Sequence, residues 1–270
     1  MLEAGIKAHS AGVAGFLGLH LEGPHLDPKR KGAHDLTLIR PLDEVDLSLL
    51  CEAVRKLPAL MVTLAPYSAT ADQVARLTEA GVIVSLGHTD CSYEEAASFI
   101  KAGARCATHL YNAMSQLGHR SPGLVGAALT HDIHAGLIAD GEHVSLPAMK
   151  VALSAKPEKI FLVSDCMSVA GTDITSFDLG GRRITRENGR LTLDDGTLAG
   201  ADLTLPRAIA KVVDLGVSPE RALAMATRIP AELLGRQDIG RLSANARADL
   251  VHLDDDFSLQ GVWQGAERRV

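Results

Sequence analysis

Val82-Ile83-Val84-Ser85-Leu86-Gly87-His88 is a short apolar run that ends on a histidine. A strand that is apolar on both faces belongs in a parallel sheet covered by helices, because that kind of sheet is buried on both sides. The flanks agree. Residues 71–80 and 93–102 carry helical periodicity, and Glu79-Ala80-Gly81 reads as a helix end capped by glycine just before the strand. Lys101-Ala102-Gly103 repeats the same signal before the next apolar run.

Further runs of this kind end on polar residues. Phe16-Leu17-Gly18-Leu19-His20-Leu21 leads to Glu22, Ala107-Thr108 to His109, and Ile160-Phe161-Leu162-Val163-Ser164 to Asp165. Strands are expected at 16–22, 59–65, 82–87, 105–109, 135–139 and 160–164, with helices at 42–57, 71–80, 93–102 and 146–155 among them. That is two strands short of the eight in a closed (β/α) barrel. Residues 177–200 then bring Gly-Gly, Asn-Gly and Asp-Gly turns between short alternating segments, the pattern of β-hairpins. Helical periodicity returns over 203–215 and 219–234, and 240–242 and 248–253 alternate like strands of a small sheet.

The 270 residues, 46% apolar and 22% charged, suffice for one large α/β domain with a small appendage. A net charge of −6 without long runs leaves no basic footprint for nucleic acid or an anionic membrane surface. Four scattered cysteines form no Cys-x-x-Cys pair, which speaks against a zinc ribbon or a disulfide scaffold and fits a reducing cytoplasm. The first residues lack the pattern of a secretory signal, and no apolar stretch has the length of a membrane span.

Any one acid or histidine at a strand end is ordinarily a helix cap, a loop residue or a satisfied core partner. Four in matching places point further. Burying Glu22 or Asp165 alone would cost several kcal/mol, whereas a divalent cation compensates Glu22 and leaves Asp165 free to accept a proton. A metal-dependent hydrolase is the leading reading.

The surrounding motifs carry a resemblance. Gly18-Leu19-His20-Leu21-Glu22-Gly23-Pro24, Lys31-Gly32-Ala33-His34, Leu86-Gly87-His88-Thr89, Thr108-His109-Leu110-Tyr111-Asn112-Ala113-Met114, Arg120-Ser121-Pro122-Gly123, Ala139-Asp140-Gly141-Glu142-His143 and Leu162-Val163-Ser164-Asp165 occur in this order. From end to end the chain resembles the N-acetylglucosamine-6-phosphate deacetylase family of the amidohydrolase superfamily. The resemblance implies a TIM-like (β/α) barrel and the hydrolysis of N-acetylglucosamine 6-phosphate to glucosamine 6-phosphate and acetate. It implies Glu22, His88 and His109 as ligands of one divalent metal ion, zinc first, with Fe2+, Mn2+ or Co2+ as the other candidates. Asp165 is implied as the catalytic acid/base, which takes a proton from the attacking water and delivers it to the departing amine. Ala33, His34, Asn112, Ala113, Arg120, His143 and the segment Leu198-Ala199-Gly200-Ala201 are implied as substrate-binding, with Arg120 and the backbone at Asn112–Ala113 on the sugar phosphate. Ala-Gly-Ala offers little side chain, so any contact there is through backbone or shape.

In the family a further portion precedes the helix that leads into the His-Leu-Glu-Gly-Pro strand. Met1 falls inside that helix, so the resemblance implies that the first two barrel strands are missing and that the C-terminal β-segment is the remnant of a small β-domain. The expected division is 1–236, an incomplete catalytic barrel with a hairpin insertion at about 177–200, and 237–270, part of the β-domain. Family members commonly associate as dimers, so the resemblance implies a homo-oligomer, with a small amino-sugar phosphate as the other partner. Cys166, beside Asp165, reads as packing. Two alternatives remain open: another amidohydrolase acting on a different amide or cyclic amide, and an inactive N-terminally truncated fragment.

Overall fold

Leu19–Glu22 (β1), Leu60–Leu64 (β2), Ile83–Leu86 (β3), Cys106–Ala107 (β4) and His134–Leu137 (β5) follow one another along the chain, and each pairs in parallel with the next. They are seen in a computed structural model that describes residues 1–270 and divides into two compact units, Met1–Ala135 and Gly136–Val270. In the first unit the strands alternate with helices Leu2–Ser10 (α1), Glu44–Ala53 (α2), Ala71–Glu79 (α3), Tyr93–Lys101 (α4) and Gly123–Thr130 (α5).

The sequence explains why these helices start and stop where they do. Thr70 with Gln73 and Ser92 with Glu95 form reciprocal capping boxes at the starts of α3 and α4. At the far end of α3, the N–H groups of Gly81 and Val82 donate to Thr78 and Leu77, and Gly103 and Ala104 repeat that pair on Ile100 and Phe99 after α4. Each strand therefore leaves its helix at a fixed angle. All four residues of β3 are buried, and Leu60, Val62 and Leu64 of β2 are almost wholly so. Each fully buried aliphatic side chain contributes about 1.5–3 kcal/mol.

Several expected bounds contract. The strand expected at 105–109 pairs only over Cys106–Ala107, because the backbone turns at His109 into the left-handed region, φ 32°. The helix expected at 42–57 starts at Glu44, where Asp43 accepts the Asp46 N–H, and gives way to a 3-10 turn over Val54–Lys56. Helix α5 carries no polar face to betray it: Gly123 through Leu129 are all buried.

In the second unit, the end of β5 lies beside Ile160–Leu162 (β6), with the Val163 N–H donating to the Leu137 carbonyl at 3.1 Å. Helix Leu146–Ala155 (α6) connects them. The hairpin region is an antiparallel sheet of Ser176–Leu179 (β7), Arg182–Glu187 (β8), Arg190–Leu193 (β9) and Leu198–Ala201 (β10), ordered β10-β9-β8-β7. Leu205–Asp214 (α7) follows. The helical stretch expected at 219–234 is two helices, Pro219–Ala226 (α8) and Arg228–Leu233 (α9). Pro230 would clash with the carbonyl four residues earlier in one continuous helix, and the break falls at Thr227. Leu250–Leu253 (β11), Leu259–Gln264 (β12) and Glu267–Arg268 (β13) form a small antiparallel sheet, while 240–242 forms no strand.

Candidate active site

Parallel pairing in register brings the ends of β1, β3 and β4 to the same edge of the sheet. Glu22 closes β1, and His88 and His109 each lie two residues past the ends of β3 and β4. Their side chains meet. Glu22 Oε1 is 2.8 Å from His109 Nε2 and 2.9 Å from His88 Nε2, and the two imidazole nitrogens are 3.1 Å apart. Both rings are buried, and about a quarter of the Glu22 side chain is exposed (26%).

His88 and His109 reach this point only by adopting left-handed backbone angles, φ 47° and 32°. Tyr111, Ala113 and Asp165 do the same at φ 77°, 46° and 45°. Each such residue costs roughly 1–2 kcal/mol in backbone energy, a cost typically met with at functional sites.

The donor set calls for a positive charge. His88 Nδ1 lies 2.7 Å from the Arg30 carbonyl. A carbonyl only accepts, so Nδ1 carries the hydrogen and a neutral His88 presents a bare lone pair at Nε2. That lone pair faces a carboxylate oxygen and a second imidazole. A proton on His109 can satisfy Glu22 but leaves His88 opposed to the same oxygen; a cation at the shared point relieves all three. The spacing suits one: tetrahedral ligands about 2.0–2.1 Å from an ion stand roughly 3.3–3.4 Å from each other, a few tenths of an ångström wider than these contacts. Burial acts to raise the Glu22 pKa, yet protonated His109 and His88 rings, by hydrogen bond and charge, outweigh it and hold the carboxyl well below its ordinary range, so positive charge at this point, from protons or from a cation, keeps Glu22 ionised.

His34, Gly32 and Asn112 lie beside the histidines. His34 stands edge-on to the His88 ring, with centroids 4.6 Å apart and planes at 89°. Gly32, at φ +55°, leaves space that a Cβ would take up, since it would lie 3.0 Å from His88 Cε1. Ala33 follows it, half-buried. The Asn112 N–H donates to the His109 carbonyl at 2.9 Å and its side-chain amide to Leu110, while the Ala113 carbonyl accepts the Thr89 N–H. Arg120 is exposed.

In the second unit, the Asp165 carbonyl accepts the Ala201 N–H at 2.8 Å and Cys166 bridges to Ala201. Gly200, at φ +73°, permits this approach, because a Cβ there would fall 2.9 Å from the Asp165 carbonyl oxygen. Gly200 and Ala201 therefore approach Asp165 through backbone. Cys166 is exposed rather than packed, with Ser164 Oγ donating to its Sγ at 3.3 Å. The left-handed turn at Asp165 breaks the strand alternation that would have turned Cys166 inward. His143 Nδ1 donates to Asp140 Oδ2 at 2.5 Å, and both side chains are buried. Burial raises the Asp140 pKa, but the His143 contacts prevail and lower it.

Sequence reasoning gave Asp140 no role, although Asp-Gly-x-His is a turn in which an Asp side chain caps its own following residues: the Glu142 and His143 N–H groups both donate to Asp140 Oδ1. It also passed over a buried hydroxyl chain beneath the ligands. His20 Nε2, Thr63, Thr108 and Ser85 are linked by successive contacts of 2.7 Å.

A family model, the Amidohydrolase family, matches residues 7–268. The chain belongs to the amidohydrolase family. Over 270 residues this amidohydrolase is 38% identical to the N-acetylgalactosamine-6-phosphate deacetylase of Shewanella sp. (strain ANA-3), a span of 98% of this chain and 68% of the relative. It is 36% identical over 264 residues to the N-acetylglucosamine-6-phosphate deacetylase of Vibrio furnissii, covering 95% and 66%. The crystal structure of N-acetylglucosamine-6-phosphate deacetylase from Pasteurella multocida superposes with a TM-score of 0.90 at 34% identity, covering 94% of this chain and 67% of that one. The chain thus spans about two thirds of the length of these relatives. The resemblance drawn from the motifs is borne out, and the fold is that of the amidohydrolases, a parallel sheet with helices accompanied by antiparallel sheets.

Proposed function

We propose that this amidohydrolase is a metal-dependent deacetylase of N-acetyl amino-sugar 6-phosphates, releasing acetate and the free amino-sugar phosphate. The convergence of Glu22, His88 and His109 on one point, in a chain of this family, carries the reading. Those three residues would hold a divalent ion, zinc first; when bound, such an ion polarises a carbonyl and eases deprotonation of water near neutral pH.

The chain's own groups do the rest. Asp165, three residues past β6, takes the proton that the attacking water loses as its oxygen bonds to the acetamide carbon. The same proton then passes to the sugar nitrogen as the C–N bond breaks, which gives the amine and acetic acid; the acid then loses the second water proton to the amine or to solvent, and acetate leaves. His34 offers an N–H to the carbonyl oxygen as it gains charge. Arg120 and the backbone at Asn112–Ala113 grip the phosphate, and His143, Ala33 and the Leu198–Ala201 segment line the sugar. The domain division at 236/237 and the reading of the parallel sheet as part of an eight-stranded barrel, with β11–β13 belonging to a small β-domain, form part of this proposal, as do a homodimer and a cytoplasmic setting. Four free cysteines suit a reducing compartment, and no helix is long and apolar enough to cross a membrane.

Relatives of both sugar types are similarly close, so the sugar is decided by assay. Acetate release from N-acetylglucosamine 6-phosphate and N-acetylgalactosamine 6-phosphate, with and without added zinc, tests the proposal. Zinc-stimulated release from at least one of them is expected; release from neither, with zinc bound, would leave a different amide as substrate.

A further inference from the structure

We infer that Asp27 is a positioning residue for the metal centre: it holds the 27–31 loop so that the Arg30 carbonyl fixes the ring orientation and tautomer of His88. The inference rests on the reading of Glu22, His88 and His109 as one metal centre.

Asp27 is only 4% exposed, and both of its carboxylate oxygens are used. Oδ1 accepts the Lys29 N–H at 2.9 Å, and Oδ2 accepts the Asp90 N–H at 3.0 Å. Its backbone N–H donates to the His88 carbonyl at 2.9 Å, and its own carbonyl accepts the Arg30 N–H at the same distance. One side chain and its peptide groups thus tie the loop after β1 to the loop after β3, at the His88 carbonyl and at Asp90 just beyond it. Arg30 adds an outer clasp, with Nε and Nη2 both donating to Asp90 Oδ1. The result of this fastening is a single functional contact, His88 Nδ1–H to the Arg30 carbonyl at 2.7 Å. That contact leaves Nε2 bare and aimed at Glu22 and His109.

An outer partner of this kind orients a ligating imidazole and raises its basicity, and losing one typically weakens metal binding 10–100-fold. Asp27 does so at one remove, through a backbone carbonyl. Nothing at position 27 is itself a ligand, so its effect must appear in metal affinity and ring geometry.

The test measures zinc dissociation constants by chelator competition for the wild-type chain, Asp27→Asn, Asp27→Ala and Glu22→Gln, together with the nitrogen NMR signals of His88 in the metal-free chain. Asp27→Asn keeps one acceptor and turns an amide donor toward a backbone N–H. We expect Asp27→Asn to weaken zinc about 10-fold and Asp27→Ala up to about 100-fold. Wild-type His88 should be the Nδ1–H tautomer, with a mixture of tautomers in the Asp27 variants. Lower thermal stability with unchanged zinc affinity in the Asp27 variants, while Glu22→Gln loses zinc, would make Asp27 structural only and overturn the inference. An Nε2–H tautomer in the wild-type chain would overturn it even if neither Asp27 variant folds. If Glu22→Gln leaves zinc affinity intact, the metal-centre reading is what fails, and the tautomer signals alone then decide whether Asp27 holds His88.

Discussion

Val84 and Val251 are both valines inside strands, yet Val84 in β3 is fully buried and Val251 in β11 is 61% exposed. The strands around them differ in the same way. β3 lies between β2 and β4 with all four residues buried, whereas β11 pairs with β12 alone and exposes Leu250, Val251 and His252. Where both faces are covered, a polar group must find a partner inside the protein. Ser85 of β3 does so through Thr108, and the Nδ1 of His88 just past the strand does so through the Arg30 carbonyl. His252 of β11 faces solvent and is under no such demand. A polar residue on or just after a buried strand therefore carries information about chemistry, and the same residue on an exposed strand carries little.

Substitutions can break or sharpen this contrast. The largest effect is expected just past β6, where Asp165→Asn should reduce acetate release at least about 100-fold while leaving zinc binding nearly intact; retention of most activity would remove Asp165 from the chemistry. Next comes Val84→Ala, which deletes two buried methyl groups and should cost about 2–3 kcal/mol in a denaturant titration. Arg120→Ala should weaken binding of the phosphorylated sugar by roughly 1.5–3 kcal/mol and scarcely alter turnover of the unphosphorylated one. Equal losses on both sugars would make Arg120 a structural residue. The smallest effect belongs to Val251→Ala, within about 0.5 kcal/mol of the parent. A Val251→Ala cost equal to that of Val84→Ala would show that β11 is covered in solution.

The same contrast explains what could be read in the sequence. Strands such as Ile83–Leu86 were legible because burial on both faces leaves a continuous apolar run, and Gly81 and Gly103 marked where the preceding helices end. Glu22, His88 and His109 stood out as polar residues terminating such runs, and the structure brings their donor atoms within 4.8 Å of one another. The left-handed turns at His88, His109, Ala113 and Asp165 were not legible, since none of these positions is glycine. They cut β4 to two residues and turned Cys166 outward. The Arg30 carbonyl that orients His88 is a backbone group and leaves no mark in residue type. Its support does leave one: Asp27-Pro28 is a helix-start signal, with Asp27 capping the 3-10 turn Pro28–Arg30. Helix α5 stayed hidden for the opposite reason, being buried all round with no polar face to give a period.

The most direct test of the metal centre is diffraction at the zinc absorption edge from crystals of this chain grown with zinc. The account predicts one strong anomalous peak about 2.0–2.2 Å from a Glu22 carboxylate oxygen, His88 Nε2 and His109 Nε2 together. Zinc bound only at other residues, with Glu22, His88 and His109 still in mutual contact and no metal among them, would contradict it.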